Sequence, residues 1–287
     1  MLREGAAGEI FAAGHAEAGN DLPVLFSTTV AKRVQGGYEF TGHKMFGSLS
    51  PVWTRFGVHG IDAANPDAPL TIHAFIPRGT PHVDIRQTWD TLGMRATASE
   101  DTILDGAFVP DKYIARTIPS GTIDQFIGAL FANALVGIAN VYFGIALRAR
   151  DLALQSAQKK KSLALTRSVA YHPEYQHCAA EMTIAIDAME AHLDRVADDW
   201  SAGVDHGEQW SARIVAMKYH VVESAKRVVD LAMEMSGGAG LFKTNELERL
   251  YRDVRAGGFH PANSALAHEI IGKTTLGIRL DEAPRWG

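Results

Sequence analysis

The chain has 287 residues, 46% hydrophobic and 21% charged, with 28 Lys+Arg against 33 Asp+Glu for a net charge of −5. At ~100–200 residues per domain this length suggests about two domains, and the composition excludes global disorder. No basic run exceeds Lys159-Lys160-Lys161, so the footprint of a nucleic-acid binder is absent. The single cysteine, Cys178, excludes an intrachain disulfide and argues against a zinc cluster, and a reducing cytoplasm is the expected location. The N-terminal turns carry Arg3, Glu4 and Glu9 and lack the apolar core of a signal peptide.

In chain order, Val24 to Val34 reads as a strand, Gln35-Gly36-Gly37 as a hairpin turn and Tyr38 to Phe46 as the return strand. Further strands are expected at Arg55 to His59, Thr71 to Ile76, Val83 to Gln87 and Thr102 to Val109. Turns are expected at Asn65-Pro66-Asp67, Pro77-Arg78-Gly79 and Asp105-Gly106. Many short strands at this spacing predict a sandwich or barrel.

Beyond Pro119-Ser120-Gly121 the pattern turns helical. A first helix is expected from Ile123. No charge falls between Gln125 and Leu147, a length sufficient to cross a bilayer. Asn133 and Asn140 on one face, with Gly128, Gly137 and Gly144, favour a helix buried all round inside a bundle over a membrane span. Met182, Ala185, Met189, Leu193, Val196 and Trp200 form a second stripe; Ile214, Met217, Val221, Ala225, Val228, Ala232 and Met235 form a third. A fourth helix is expected from about Asn263 to Leu280. The methionines of these stripes read as core. The expected class is α+β, a β-barrel or sandwich followed by a four-helix bundle, over residues 1–9, 10–119 and 120–287.

Specific strings carry the reading further. Asp90-Thr91-Leu92-Gly93-Met94-Arg95-Ala96-Thr97-Ala98-Ser99 with Val109-Pro110 resembles the middle β-domain signature of the acyl-CoA dehydrogenase superfamily. Phe11 to Gly19 resembles its S/T-E-P-G loop, and Gly36 to Ser48 is similar to the hairpin carrying its flavin-contacting segment. Ser236-Gly237-Gly238-Ala239-Gly240 resembles its Q-x-x-G-G-x-G turn, and Glu248 to Asp253 its E-R-x-Y-R-D helix. The resemblance spans about residues 8 to 280. The family begins with a further helical domain, of which residues 1–9 match only the end.

The resemblance implies an FAD site, with FMN as the other candidate flavin. Phe46 stands at a flavin-packing aromatic, and is otherwise a core aromatic of a strand. Ser48 matches a hydroxyl that hydrogen-bonds the flavin edge, a sensible donor because reduced flavin gains negative charge; otherwise it is a turn serine. Gly237 and Gly238 would cradle the pyrophosphate or adenine side of FAD, or simply cap a helix C-terminus. Glu234 occupies the place of the family's Gln. Arg167 matches an arginine pairing with FAD phosphates, or is a solvated surface arginine. Asn263 falls where a threonine contacts flavin, and equally suits a helix N-terminus.

The family's catalytic Glu falls at Pro261, which cannot act as a base, and the alternative helix position falls near Ala134. His260 matches a histidine that assists oxygen addition in flavin monooxygenases of the same superfamily; an imidazole titrates near neutrality and can donate to an oxygen. It equally suits a loop histidine capping the next helix. The remaining histidines show no metal-ligand spacing. The resemblance implies an FAD-dependent oxidoreductase acting on the CH-CH group of an acyl-CoA or another apolar molecule, assembled as a homodimer or homotetramer. A reduced-flavin-dependent monooxygenase using His260, or a non-catalytic partner subunit of a full-length relative, are the alternatives.

Overall fold

Gln35-Gly36 closes a hairpin with two residues, Val34 pairing with Gly37 across it. Gly36 takes a φ of 80°, which this kind of turn needs and which glycine adopts without cost. The computed structural model describes residues 2–22, 25–122, 124–280 and 282. The expected strand start at Val24 and helix start at Ile123 lie outside the described residues. The chain divides into two compact units, Met1–Gly128 and Ala129–Gly287.

The first unit holds α1 (Leu2–Ala6), β1 (Phe11–Ala13), β2 (Ala16–Glu17), β3 (Val30–Val34), β4 (Gly37–Gly47), β5 (Arg55–Asp62), β6 (Leu70–Pro77), β7 (Val83–Arg86), β8 (Glu100–Pro110) and β9 (Ile114–Pro119). They form one nine-stranded sheet in the order β7-β8-β4-β3-β5-β6-β9; β1 adds parallel to β5, and β2 antiparallel to β4. Ala31, Phe40, Phe56, Val58, Ile72, Ile76, Leu104, Ala107 and Val109 bury their side chains in a single cluster. Strands from both halves of the sheet therefore share one core, as a sheet curled about its own inner face does. Trp53 and Phe56 stack within it at 5.0 Å, and the Arg78 guanidinium lies 4.8 Å over the Trp53 ring.

Two sequence expectations change here. Residues 25–29 are not strand, because the Glu17 carboxylate takes the Thr28 and Thr29 amides that a ladder would need. Asp105-Gly106 is not a turn between strands. It is a bulge inside β8, where the register against β4 shifts opposite Phe40/Thr41, Gly106 takes a φ of 73°, and its amide donates to Thr41 Oγ1.

The second unit contains most of α2 (Gln125–Lys159), then α3 (Pro173–Ser201), α4 (Gln209–Ser236), α5 (Glu246–Val254) and α6 (Ser264–Leu276). Helix α4 is central and packs on α3, α5 and α6. Helices α3 and α4 run antiparallel, with Glu181 bonded to Arg227 and His192 to His220. Pro173 opens α3 behind the His172 cap. Asn263 caps α6 and lies outside it, and Gly277 at φ 70° ends that helix earlier than Leu280.

The expectation that α2 is buried all round is overturned. Leu135, Ala139, Tyr142, Ala146, Ala149, Ala153 and Ala157 form one buried stripe, while Leu130 and Val141 on another face are about half exposed. The buried residues are mostly alanines, which allow close packing along a single line only. Among the described residues α2 is the one helix long and apolar enough to cross a membrane by length and composition.

Candidate functional site

In the β unit, three hydroxyls form a directed chain. Thr97 Oγ1 donates to the Met94 carbonyl at 2.8 Å, so its 2.7 Å contact with Ser99 must be donated by Ser99. Ser48 then donates to Ser99 at 2.8 Å. With its proton committed, exposed Ser48 Oγ presents only lone pairs outward, reversing the donor role expected from sequence. Beside it Phe46 is 55% exposed, so it is not a core aromatic. Its ring meets Trp89 edge-on at 6.0 Å. Trp89 is held by Nε1 donating to the Met94 carbonyl and by its amide donating to Glu100.

Phe46, Leu49, Met94 and Ala98 all have positive φ. Such strain in non-glycine residues concentrates where a structure holds side chains for a purpose. The result is an aromatic and hydroxyl platform at the end of β4 and the start of β8.

Behind this platform lies a buried polar knot. Lys44 Nζ donates to Glu17 Oε1 at 2.5 Å, and both side chains are fully buried. Glu17 also accepts from Ser27, Thr28 and Thr29. Burial pushes its carboxyl up, but the Lys44 ammonium and these bonds more than offset that and hold it well below the usual range. Burial lowers Lys44 to about 8 against the opposing pull of Glu17. The His15, His59 and His73 rings pack together with centroids 5.0 to 6.2 Å apart. Burial, with Lys44 as a further cause, lowers His15 and His73 to about 4 and also lowers His59. No metal-holding group of three His, Cys, Asp or Glu occurs among the described residues.

In the helical unit, His260 Nε2 lies 3.0 Å from the Tyr142 hydroxyl. Burial, then the nearby Lys218 ammonium, lowers His260 to about 4, so the imidazole is neutral at physiological pH. Burial and Asp253 raise the Tyr142 phenol, which stays protonated. Lys218 on α4 donates to the carbonyls of Gly257, His260 and Ala262, each at 3.0 Å. This pair can share or pass one proton through a hydrogen bond without carrying net charge.

Gly237 ends α4 with φ 62° and ψ −156°, a combination essentially confined to glycine. Gly238 follows with nothing within 4 Å of a would-be Cβ, leaving its backbone open to approach. Gly237 and Gly238 line a groove with Met233, Leu241, Glu248, Tyr251 and Arg252. Glu234 is exposed on the last turn of α4. Arg167 is exposed and stacks 4.8 Å over Tyr171. Asn263 Oδ1 accepts the Leu266 amide, so the capping role is present.

The structure thus brings Phe46 and Ser48 to one platform, and Glu234, Gly237 and Gly238 to one helix end. Sequence reasoning missed Tyr142, Lys218, Trp89 and the roles of Thr97 and Ser99. Lys218 carried a signal: it sits beside Ile214, Met217 and Val221 on an otherwise apolar stripe, where a charge needs a partner.

A family model for the acyl-CoA dehydrogenase C-terminal domain matches residues 136–265. The chain is 29% identical over 282 residues to the amino sugar nitrososynthase DnmZ of Streptomyces peucetius, covering 96% of this chain and 67% of that protein. It is 29% identical over 243 residues to the putative acyl-CoA dehydrogenase YdbM of Bacillus subtilis, covering 84% of this chain and 61% of that one. The solved structure of KijD3 in complex with FMN and a dTDP-linked amino keto sugar superposes with a TM-score of 0.79 at 23% identity, covering 96% of this chain and 67% of that chain. The chain therefore spans roughly three-fifths to two-thirds of the curated relatives' length. The helical unit thus matches the acyl-CoA dehydrogenase C-terminal domain over residues 136–265, and the chain as a whole is similar to acyl-CoA dehydrogenases and amino sugar nitrososynthases.

Proposed function

We propose that the chain is the flavin-dependent oxygenating part of a monooxygenase, and that His260 is its catalytic residue. The observation that carries this reading is the His260–Tyr142 pair, a half-buried neutral imidazole bonded to a buried, protonated phenol, next to Pro261 where a dehydrogenase would need a carboxylate. A neutral imidazole can donate to, or accept from, an oxygen atom without paying for a buried charge.

Each unit by itself suits part of a flavin. In the β unit Phe46 and Trp89 offer apolar rings and Ser48 offers an acceptor; in the helical unit the open Gly238 backbone offers approach to a phosphate-bearing chain. In the β unit Phe46 and Ser48 suit contact with a flavin ring; in the helical unit Glu234, Gly237, Gly238 and Arg167 suit a phosphate-bearing chain, and Asn263 serves as a helix cap. FAD and FMN both remain compatible with these residues. A bound flavin would supply the electrons for oxygen, and the protein's own part is to exclude water and to hold a proton at His260. The likeness to an amino sugar nitrososynthase makes an amine the first substrate class to test.

The competing reading, dehydrogenation of an acyl-CoA, is supported by the likeness to YdbM. Homodimer or homotetramer assembly, and a cytoplasmic location, belong to the same proposal; the uncharged, exposed Leu130, Ala134, Gly137 and Val141 on α2 support assembly.

The test mixes the full chain and reduced FMN or FAD with oxygen in a stopped-flow instrument. The protein is expected to change the time course of flavin oxidation relative to free flavin. His260→Ala is expected to slow the coupled step by ~10²-fold or more. Indifference of that step to the substitution, combined with anaerobic bleaching of flavin by an acyl-CoA, would overturn the reading in favour of dehydrogenation.

A further inference from the structure

Lys218, Val222 and Lys226 recur every four residues along α4, so they share one face. That face meets the segment 255–262. A Cβ on Gly257 would stand 2.7 Å from Val222 and 3.0 Å from the Tyr142 ring, and one on Gly258 would stand 2.9 Å from Lys226 Nζ. The segment therefore lies pressed between α2 and α4, and only glycine permits that approach at 257. Lys218 is 2% exposed, and its ammonium donates to three backbone carbonyls: Gly257, His260 and Ala262. An ammonium has three donors, and here each has one acceptor.

We propose that Lys218 is the positioning residue for His260: its ammonium gathers the three carbonyls of the 257–262 loop and so fixes the imidazole against Tyr142. The inference rests on the reading of His260 given above, but its physical content is independent of the reaction. A salt bridge could not do the same work, because the loop offers only carbonyl dipoles in this place. A neutral donor could not bind three of them at once.

The cation has a second effect on His260, since a positive charge nearby opposes protonation of the imidazole. The groups facing this pair are Tyr142 from α2, Lys218, Glu223 and Lys226 from α4, and Asp253 from α5. Lys226 also comes up against the loop at Gly258 but is bonded to Glu223 at 2.6 Å, whereas Lys218 donates to the loop carbonyls themselves.

The experiment titrates the full chain, with its histidines isotope-labelled, by NMR, in the wild type and in Lys218→Met and Lys218→Gln. His260 is identified from the signal lost in His260→Ala. The expected wild-type midpoint is about 4, and both lysine variants are expected to raise it toward the ordinary ~6.5 and to broaden or lose the Nε2 signal of the Tyr142 bond. A merely structural lysine would lower the melting temperature yet leave the midpoint of the folded variants unchanged, and that result overturns the proposal.

Should both variants fail to fold, the wild-type Lys218 ammonium decides. Slow exchange of its own 15N-bound protons supports the three-carbonyl grip, and solvent-like exchange removes it. Oxygen coupling measured in the same samples separates the two questions. Coupling absent from the wild type sinks the functional reading, while the histidine midpoint still tests Lys218.

Discussion

At the scale of single residues, hydrogen-bond direction decides what a side chain can offer. Ser48 looks like a donor in isolation, but the Met94 carbonyl at the far end of the chain through Thr97 and Ser99 orders every proton inward. Ser48 is exposed and ends that chain, so Ser48→Ala is expected to leave thermal stability within ~0.5 kcal/mol. Flavin affinity, measured by fluorescence quenching, is expected to fall by about one hydrogen bond's worth, ~0.5–1.5 kcal/mol. An unchanged affinity would take Ser48 out of the flavin site. The same logic applies to Glu17. Its carboxylate serves Lys44, Ser27, Thr28 and Thr29 in a fully buried place. Glu17→Gln leaves the ammonium without its counter-charge and is expected to cost ~3–5 kcal/mol in urea unfolding, the usual loss when one partner of a buried pair is removed.

At the scale of elements, helix ends matter more than helix interiors. Gly237 terminates α4 in a conformation only glycine adopts freely, and Asn263 starts α6 by accepting the Leu266 amide. Asn263→Ala should cost about 1 kcal/mol through loss of the cap. If Asn263 also meets the flavin, affinity falls along with stability. If it is a cap alone, the melting temperature drops while flavin binding holds, and comparing Asn263→Ala with Asn263→Asp, which keeps the cap, separates the two. Strand ends carry the same lesson in the β unit, where the expected strand over residues 25–29 loses its amides to one carboxylate.

At the scale of the whole molecule, acid should act through the histidines that the fold holds neutral. His15 and His73 are held at about 4 in the native protein, His59 is lowered as well, and His260 is held at about 4. In the unfolded chain each titrates near ~6.5. The unfolded state then binds more protons between those values, so stability falls as pH drops from about 6.5 toward 4 and is fully present above it. Urea midpoints are expected to decline steadily as pH falls below ~6.5. In His73→Phe, which removes a ring nitrogen without a bonding partner, the slope should be shallower. A midpoint that rises on acidification would contradict these neutral histidines.

Much of this protein is legible from local chemistry. The order of strands before helices, the Gly36 hairpin, the stripes of α3 and α4 and the glycine turn after Ser236 all follow from side-chain period and backbone freedom, which act between near neighbours. The strings around Arg95 and Gly237 sufficed to suggest the superfamily. Tertiary structure alone decided three things: that α2 buries one stripe of alanines and leaves another face bare, that Ser48 accepts where a donor was expected, and that Lys218 reaches the loop of His260. Each depends on atoms far apart in the chain, such as Lys218 and Ala262 or Ser48 and Ser99. A pattern of residue types records which groups are polar, but only the folded backbone determines which of them meet and in which direction the proton points.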